Sequence, residues 1–98
     1  MSDDEAVPGE VRRRATIRNT RGLHARAAAK FVKCVESHDA EVWVLRHELT
    51  VSGRSIMGLM MLAAAPGACI ELRASGPQAD AAMAALVALI EDGFGERD

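Results

Sequence analysis

Alternation of apolar and polar residues predicts four β-strands. Residues 11–18 alternate: one face carries Val11, Arg13, Ala15 and Ile17, and the other carries Arg12, Arg14, Thr16 and Arg18. Residues 41–45 are rich in β-branched and aromatic side chains, and the alternating residues 49–52 would pair with them as a hairpin. Its connection lacks the Asn-Gly or Asp-Gly of tight hairpins, so the turn type stays open. Residues 68–74 predict the last strand, with Ile70 and Leu72 on one face and Cys69, Glu71 and Arg73 on the other.

Three other stretches predict helices. The first begins at Ala25 and ends around residues 37–38; the second spans 56–62 and is capped by Ser55. The third begins at 76–77, where proline is tolerated in a first turn, and ends at the glycines of 93–95. The apolar stripes are Ala28, Phe31, Val32 and Val35 in the first helix, and Ala82, Met83, Leu86, Val87 and Ile90 in the third.

The order β-α-β-β-α-β-α, without repeats or linkers, predicts one α+β domain with helices on one face of a single sheet. We assign residues 11–94 to this domain and 1–10 to a disordered acidic tail, with 95–98 as a short C-terminal tail. Aromatic residues make up only 3% of the chain, so we expect the core to consist of Val, Leu, Ile, Met and Ala.

Charge and composition narrow the classes of function. A net charge of −2 and few aromatics argue against nucleic-acid binding. There is no apolar run of membrane-spanning length and no signal-peptide pattern. Cys34 and Cys69 match no disulfide framework or metal spacing, so we expect reduced cysteines, a cytoplasmic location and no metal or cofactor. We interpret His38 and His47 as surface residues.

The stretch from Asn19 to Lys30 places His24 between a glycine turn and a run of helix formers. The first N–H groups of a helix lack partners and, with the helix dipole, favour an anion such as phosphate. Imidazole is a nucleophile near neutral pH, and Arg26 would add a cation with several donors. His24 is therefore a candidate to accept a phosphoryl group. The Arg26 guanidinium and the backbone N–H groups of Ala25, Arg26 and Ala27 would bind the phosphoryl oxygens. A capping or surface role is the ordinary alternative.

Two motifs then resemble one family. Gly22-Leu23-His24-Ala25-Arg26 resembles the active-site segment of the histidine-containing phosphocarrier (HPr) family of bacterial phosphotransferase systems, and Ser55-Ile56-Met57-Gly58-Leu59-Met60 resembles its regulatory-serine helix. The resemblance extends over residues 13–94. Ala27 departs from it, because the family commonly has proline there.

The resemblance implies an open-faced β-sandwich with a four-stranded antiparallel sheet and three helices. It implies a stoichiometric carrier rather than an enzyme, which accepts phosphate on His24 from enzyme I and passes it to a IIA-type protein. The sugar-uptake and nitrogen-related branches both use such carriers, so the branch stays open. We expect a monomer.

Ser55 has two compatible interpretations. Serine is a leading N-cap residue, and the resemblance implies a site for a serine kinase or phosphorylase. The apolar, methionine-rich helix beside it suits a surface that binds several partners. The resemblance places Leu23, Ile56, Met57 and Met60 on the docking face for enzyme I and its acceptors.

Two other classes of function compete. A non-catalytic ligand- or protein-binding module on a similar small α/β fold would need neither His24 nor Arg26. A regulatory partner recognised mainly through Ser55 would leave His24 without a role. The motif around His24 favours the phosphocarrier over both.

Overall fold

Four antiparallel strands form the sheet of this protein, in the order β1-β4-β2-β3. The computed structural model describes residues 9–96, so the predicted acidic tail lies outside the described residues except for Gly9 and Glu10. The strands are β1 (Val11–Thr16), β2 (Glu41–Arg46), β3 (Leu49–Ser52) and β4 (Cys69–Ser75). The helices are α1 (Ala25–Glu36), α2 (Ile56–Met61) and α3 (Ala79–Glu91), followed by a 3-10 turn (Gly93–Gly95).

The sheet registers confirm the predicted alternation. β4 lies between β1 and β2, with Val11 opposite Ala74 and Val44 opposite Leu72. Arg46 pairs with Leu49, which leaves a two-residue hairpin turn. His47 in that turn has φ 56°, in the left-handed region that histidine enters more readily than most residues. The hairpin is therefore tight although its turn lacks glycine and asparagine.

Helices cover one face of the sheet, and the core lies between the two layers. Phe31 belongs to the core, as its place in the apolar stripe of the first helix predicts; Phe94 is also buried, which the expected core composition did not include, whereas Trp43 is exposed. The largest fully buried side chains are Phe31, Phe94, Ile17, Leu59, Leu62, Ile70, Leu72, Leu86, Ile90, Val35 and Val44. Between residues 9 and 96, no helix combines the length and apolar character needed to cross a membrane.

The predicted start of the third helix, at residues 76–77, is two to three residues too early. Gly76 has φ 108°, which no α-helix accommodates, and α3 begins at Ala79 with Gln78 as its N-cap. Gln78 is held instead by Asp39: its N–H donates to the Asp39 carbonyl at 2.9 Å, and its side-chain oxygen accepts from the Asp39 N–H at 2.5 Å. Tertiary contacts therefore fix this boundary.

Candidate functional site

His24 occupies the N-cap of α1, as the sequence predicts. Its backbone is extended, with φ −79° and ψ 179°, and its carbonyl accepts the first helical hydrogen bond, from Ala28 N–H at 2.8 Å. The N–H groups of Ala25, Arg26 and Ala27 precede that bond and have no acceptor within the helix. These three groups at the positive end of the helix dipole suit an anion next to the imidazole.

The loop before His24 is held against the segment that follows α2. The Leu23 N–H donates to the Ala64 carbonyl at 2.9 Å, and Gly22 has φ 67°. The Leu23 side chain is only 5% exposed and lies in the core. The expectation that Leu23 belongs to the docking face therefore needs correction: the apolar side chain anchors the loop from below and offers little surface to a partner.

Glu96 is the residue that sequence reasoning missed at this site. Its Oε2 lies 2.5 Å from Nε2 of His24, and its Oε1 accepts from Asn19 Nδ2 at 3.0 Å. The pKa of the Glu96 carboxyl is lowered, chiefly by the hydrogen bond with His24 and also by Asn19 and the charges of His24 and Lys30, against the opposing effect of burial. The imidazole is thus held on its Nε2 side by a carboxylate.

Asn19 joins the His24 loop to Glu96. It is 4% exposed, and its Nδ2 also donates to the Gly22 carbonyl at 2.7 Å. Because both neighbours are acceptors, the amide must present its NH₂ group to them. Its Oδ1 is buried and lacks a hydrogen-bond partner among the described residues. Asn19 therefore links loop geometry to carboxylate position.

Residues 93–96, which we call the C-terminal hook, carry Glu96 to His24. Gly93, Phe94 and Gly95 have φ of 64°, 58° and 71°, so the backbone curls back after α3. Phe94 is 1% exposed, and Lys30 Nζ of α1 donates to its carbonyl at 2.6 Å. In the sequence, the available signal was a phenylalanine between two glycines, at the border of the predicted tail.

Arg26 lies on the exposed side of the first turn of α1. Within residues 9–96 its guanidinium forms no hydrogen bond or ion pair. A guanidinium without an intramolecular partner can turn toward an anion at low cost. The position of Arg26 is thus compatible with the predicted contact between its guanidinium and a phosphate.

Ser55 is the N-cap of α2, and its Oγ accepts from the Gly58 N–H at 2.9 Å. The predicted capping role is confirmed. α2 packs against α1, and the segment after it pairs with Leu23, so this helix adjoins the His24 loop.

The outer side of α2 is apolar and exposed. We call it the α2 surface; the exposed fractions are 42% for Ile56, 75% for Met57, 44% for Met60 and 63% for Met61. Only Leu59 of this helix is buried. Met61, which was not among the predicted docking residues, is exposed on the same helix.

The remaining histidines and cysteines take no part in the contacts at His24. His38 Nδ1 lies 2.9 Å from the Cys34 carbonyl oxygen, and His47 is exposed in the hairpin turn. Burial raises the pKa of the Cys34 thiol, and Cys69 is exposed. Across residues 9–96, no group of three or more His, Cys, Asp or Glu side chains is arranged to hold a metal ion.

Comparison with known proteins gives one consistent result. The family model described as "PTS HPr component phosphorylation site" matches residues 11–92. Phosphocarrier protein HPr of Neisseria meningitidis serogroup A is 51% identical over 78 residues, which cover 80% of this chain and 88% of that protein. Phosphocarrier protein NPr of Escherichia coli K12 is 40% identical over 87 residues, 88% of this chain and 97% of that one.

A solved structure supports the same relationship. HPr-C-His from Thermoanaerobacter tengcongensis superposes with a TM-score of 0.85 at 39% identity, covering 90% of this chain and 99% of that one. The open-faced sandwich that the sequence predicts is thereby confirmed. Glu96 lies beyond the residues that the family model matches.

Proposed function

Because the chain belongs to the HPr family of the phosphotransferase system, whose members are phosphocarriers rather than enzymes, we propose that His24 is the residue that carries the phosphoryl group. The observation that supports this most directly is the position of His24, at the start of α1 with three unpaired N–H groups following it. Such N–H groups follow the N-cap of any helix, but here the His24 side chain caps none of them, so they stay available to an anion beside the imidazole.

Nδ1 of His24 is the proposed nucleophile. Nε2 faces the Glu96 carboxylate, and among the described residues none bonds to Nδ1. A carboxylate accepts only, so the neutral ring carries its proton on Nε2 and its lone pair on Nδ1. In the transfer, that lone pair forms the N–P bond while the bond between phosphorus and the donor breaks, and its electron pair stays with the donor.

The phosphoryl oxygens would be bound by the N–H groups of Ala25, Arg26 and Ala27 and by the Arg26 guanidinium. Phosphoryl transfer depends mainly on positioning and on stabilising charge. Helix N–H groups are fixed in advance, whereas Arg26 is exposed and can adjust to the transition state. The proposed phosphate-binding site therefore combines fixed backbone N–H groups with an adjustable Arg26 side chain.

Membership of this family implies interaction with enzyme I and IIA-type proteins of the phosphotransferase system. We assign the contact to the α2 surface together with the exposed edge of the His24 loop. Exposed methionines adapt to differently shaped partners, and a carrier must bind a donor and an acceptor in turn. We further propose that it acts as a cytoplasmic monomer and that Ser55 is a target of a serine kinase.

The acceptor protein decides between the two branches. Relatives named HPr and NPr both match this chain, which supports sugar uptake and nitrogen-related regulation alike. Incubation of the phosphorylated protein with IIA proteins of either branch, and measurement of the initial transfer rate to each, would identify the branch that it serves.

Phosphorylation by enzyme I and phosphoenolpyruvate tests the function itself. Wild-type protein should gain the mass of one phosphoryl group, which acid removes, and His24→Ala should gain none while remaining folded. His38→Ala is the control, since the hydrogen bonds of that imidazole within residues 9–96 go to Ser37 and Cys34 at the C-terminal end of α1. Labelling of His24→Ala, or loss of labelling in His38→Ala, would contradict the assignment.

A further inference from the structure

The C-terminal hook brings a carboxylate to the site from the far end of the chain. Glu96 is separated from His24 by 72 positions, yet its Oε2 lies 2.5 Å from Nε2. Side-chain exposures of 23% for His24 and 12% for Glu96 leave the pair partly shielded from water. A contact of this length in a partly shielded place constrains the ring.

Three independent contacts hold the carboxylate there. Phe94 is buried in the core, Lys30 donates to its carbonyl, and Asn19 donates to Glu96 Oε1. The Glu96 N–H also donates to the Gly93 carbonyl at 3.1 Å. With these restraints on backbone and side chain, Glu96 keeps its position relative to His24.

We propose that Glu96 is a positioning residue for phosphoryl transfer: it holds His24 in the tautomer that leaves Nδ1 unprotonated and faces the positive charge that the ring acquires when Nδ1 attacks. This inference rests on the proposed function. No proton leaves His24 during the attack, because Nε2 keeps its hydrogen and Nδ1 uses its lone pair. The phosphorylated ring then bears a positive charge, which the carboxylate balances at Nε2.

The carboxylate also favours release of the phosphoryl group to the acceptor. While Nε2 stays protonated, the leaving group is neutral imidazole; without that proton it would be the far more basic imidazolate. Glu96 therefore assists both halves of the relay through Nε2, without touching phosphorus.

Other charges around His24 have different effects. Arg21 precedes it in the loop, Arg26 and Lys30 follow it on α1, and Asp92 precedes the hook; α2 carries no charged residue. The cations favour the phosphate, but they cannot accept a hydrogen bond from Nε2. Glu96 is the residue whose carboxylate bonds directly to the ring.

The test compares wild-type protein with Glu96→Gln and Glu36→Gln. Glu36 is an exposed carboxylate at the opposite end of α1, so its replacement removes the same charge far from the ring. Glutamine at 96 can still accept from Asn19, which preserves the hook, but its NH₂ can donate to the imidazole instead of accepting from it. Circular dichroism at the assay temperature verifies folding.

Two readouts separate positioning from a structural role. ¹⁵N NMR of the neutral imidazole should show predominantly the Nε2–H tautomer in wild type and in Glu36→Gln, and a larger Nδ1–H fraction in Glu96→Gln. With the carrier as the varied substrate of enzyme I, Glu96→Gln should lower kcat by about tenfold or more, as expected for groups that orient a reactive imidazole, and leave KM nearly unchanged.

Three results would overturn the proposal. They are an unchanged tautomer ratio in Glu96→Gln, an unchanged kcat, or an effect confined to KM, which would indicate a docking contact. Failure of the proposed function is distinguishable, because wild-type protein would then not be phosphorylated at all, while the tautomer measurement would still test the role of Glu96.

Discussion

A Cβ atom added to Gly22 would lie 2.5 Å from the carbonyl oxygen of Ala64, well inside van der Waals contact. That oxygen also accepts the Leu23 N–H, so it cannot move away without breaking the bond that anchors the His24 loop. Gly22 further has φ 67°, which costs any other residue conformational energy. The glycine before the histidine is therefore required by close packing as well as by backbone conformation.

We expect Gly22→Ala to lower the free energy of unfolding by about 2 kcal/mol or more and to slow phosphorylation of His24. Gly67→Ala is a matched control: Gly67 has φ 88°, but no atom lies within 4 Å of its added Cβ. Gly67→Ala should lower the free energy of unfolding by about 1 kcal/mol, the cost of a positive φ angle without a steric clash. Denaturant titration gives both values, and equal losses would contradict the steric argument.

Replacement of Arg26 should affect the rate more than the affinity. The guanidinium matters most when charge is redistributed in the transition state, so Arg26→Ala should lower kcat with enzyme I by more than it raises KM. Arg26→Lys should recover part of the rate, because lysine keeps the charge but lacks the planar fork. A rise in KM at constant kcat would instead assign Arg26 to docking.

Ala27→Pro should be tolerated. Ala27 is the third residue of α1, and its N–H precedes the first helical hydrogen bond, so proline removes no intrahelical bond there. Restriction of the unfolded chain should stabilise the protein by about 0.4–1 kcal/mol. Ala29→Pro, two residues further into the helix, should cost about 3 kcal/mol or more. Melting temperatures test the pair, and a clear drop for Ala27→Pro would mean that the fully buried site cannot accommodate the ring.

A negative charge at Ser55 should slow docking without changing the chemistry at His24. The charge would sit at the N-terminus of α2, which favours it, but next to an apolar surface that a partner must cover. Ser55→Asp should therefore reduce labelling by subsaturating enzyme I, and true phosphorylation should reduce it further. Ser55→Ala should label like wild type while losing about 1 kcal/mol of stability with the cap.

Ser37→Asp is the control for net charge, because it adds the same charge at the C-terminal end of α1, the end opposite His24. Equal rates for wild type, Ser55→Ala and Ser55→Asp would leave Ser55 as a helix cap alone.

Stability should depend on pH through Glu96. Its carboxyl has a lower pKa in the folded state than in the unfolded chain, so the unfolded state binds the extra proton and stability rises with pH across that interval. The contribution is fully present above the ordinary glutamate pKa of about 4.3 and is lost as pH falls through the folded value. Unfolding free energies of wild type and Glu96→Gln, measured between pH 5 and pH 3, should converge. A constant difference would contradict the coupling between Glu96 and its partners.

Local patterns predicted most of the fold. Phe31 and Val35 follow the period of an α-helix, and the alternation through Leu72 follows the period of a β-strand. Each pattern is expected wherever one face of the helix or strand is buried, whatever packs against that face. The N-caps His24 and Ser55 were predictable for the same reason, since caps depend on neighbours a few residues away.

Contacts between distant residues were not predictable in this way. The start of α3 depends on Asp39 meeting Gln78, and the approach of Glu96 to His24 depends on where the sheet and α1 place the hook. The prediction for Leu23 is wrong for a related reason. A motif shows which residues occur together, but it does not show whether the Leu23 side chain is buried, and that depends on the segment after α2 that packs against the loop. The sequence motif thus led to the proposal of His24 as the nucleophile, and only the three-dimensional structure revealed the Glu96 carboxylate beside it.

β4 lies between β1 and β2, so neither of these strands meets that partner until the ribosome has added residue 75. A nascent chain that stops earlier exposes two unpaired strand edges, the kind of surface through which incomplete chains aggregate. The contact between the His24 ring and the Glu96 carboxylate forms later still, because it requires residue 96. Synthesis therefore adds the last strand of the sheet before it adds the carboxylate that faces His24, so a chain released just short of residue 96 would have a complete sheet but would lack that carboxylate.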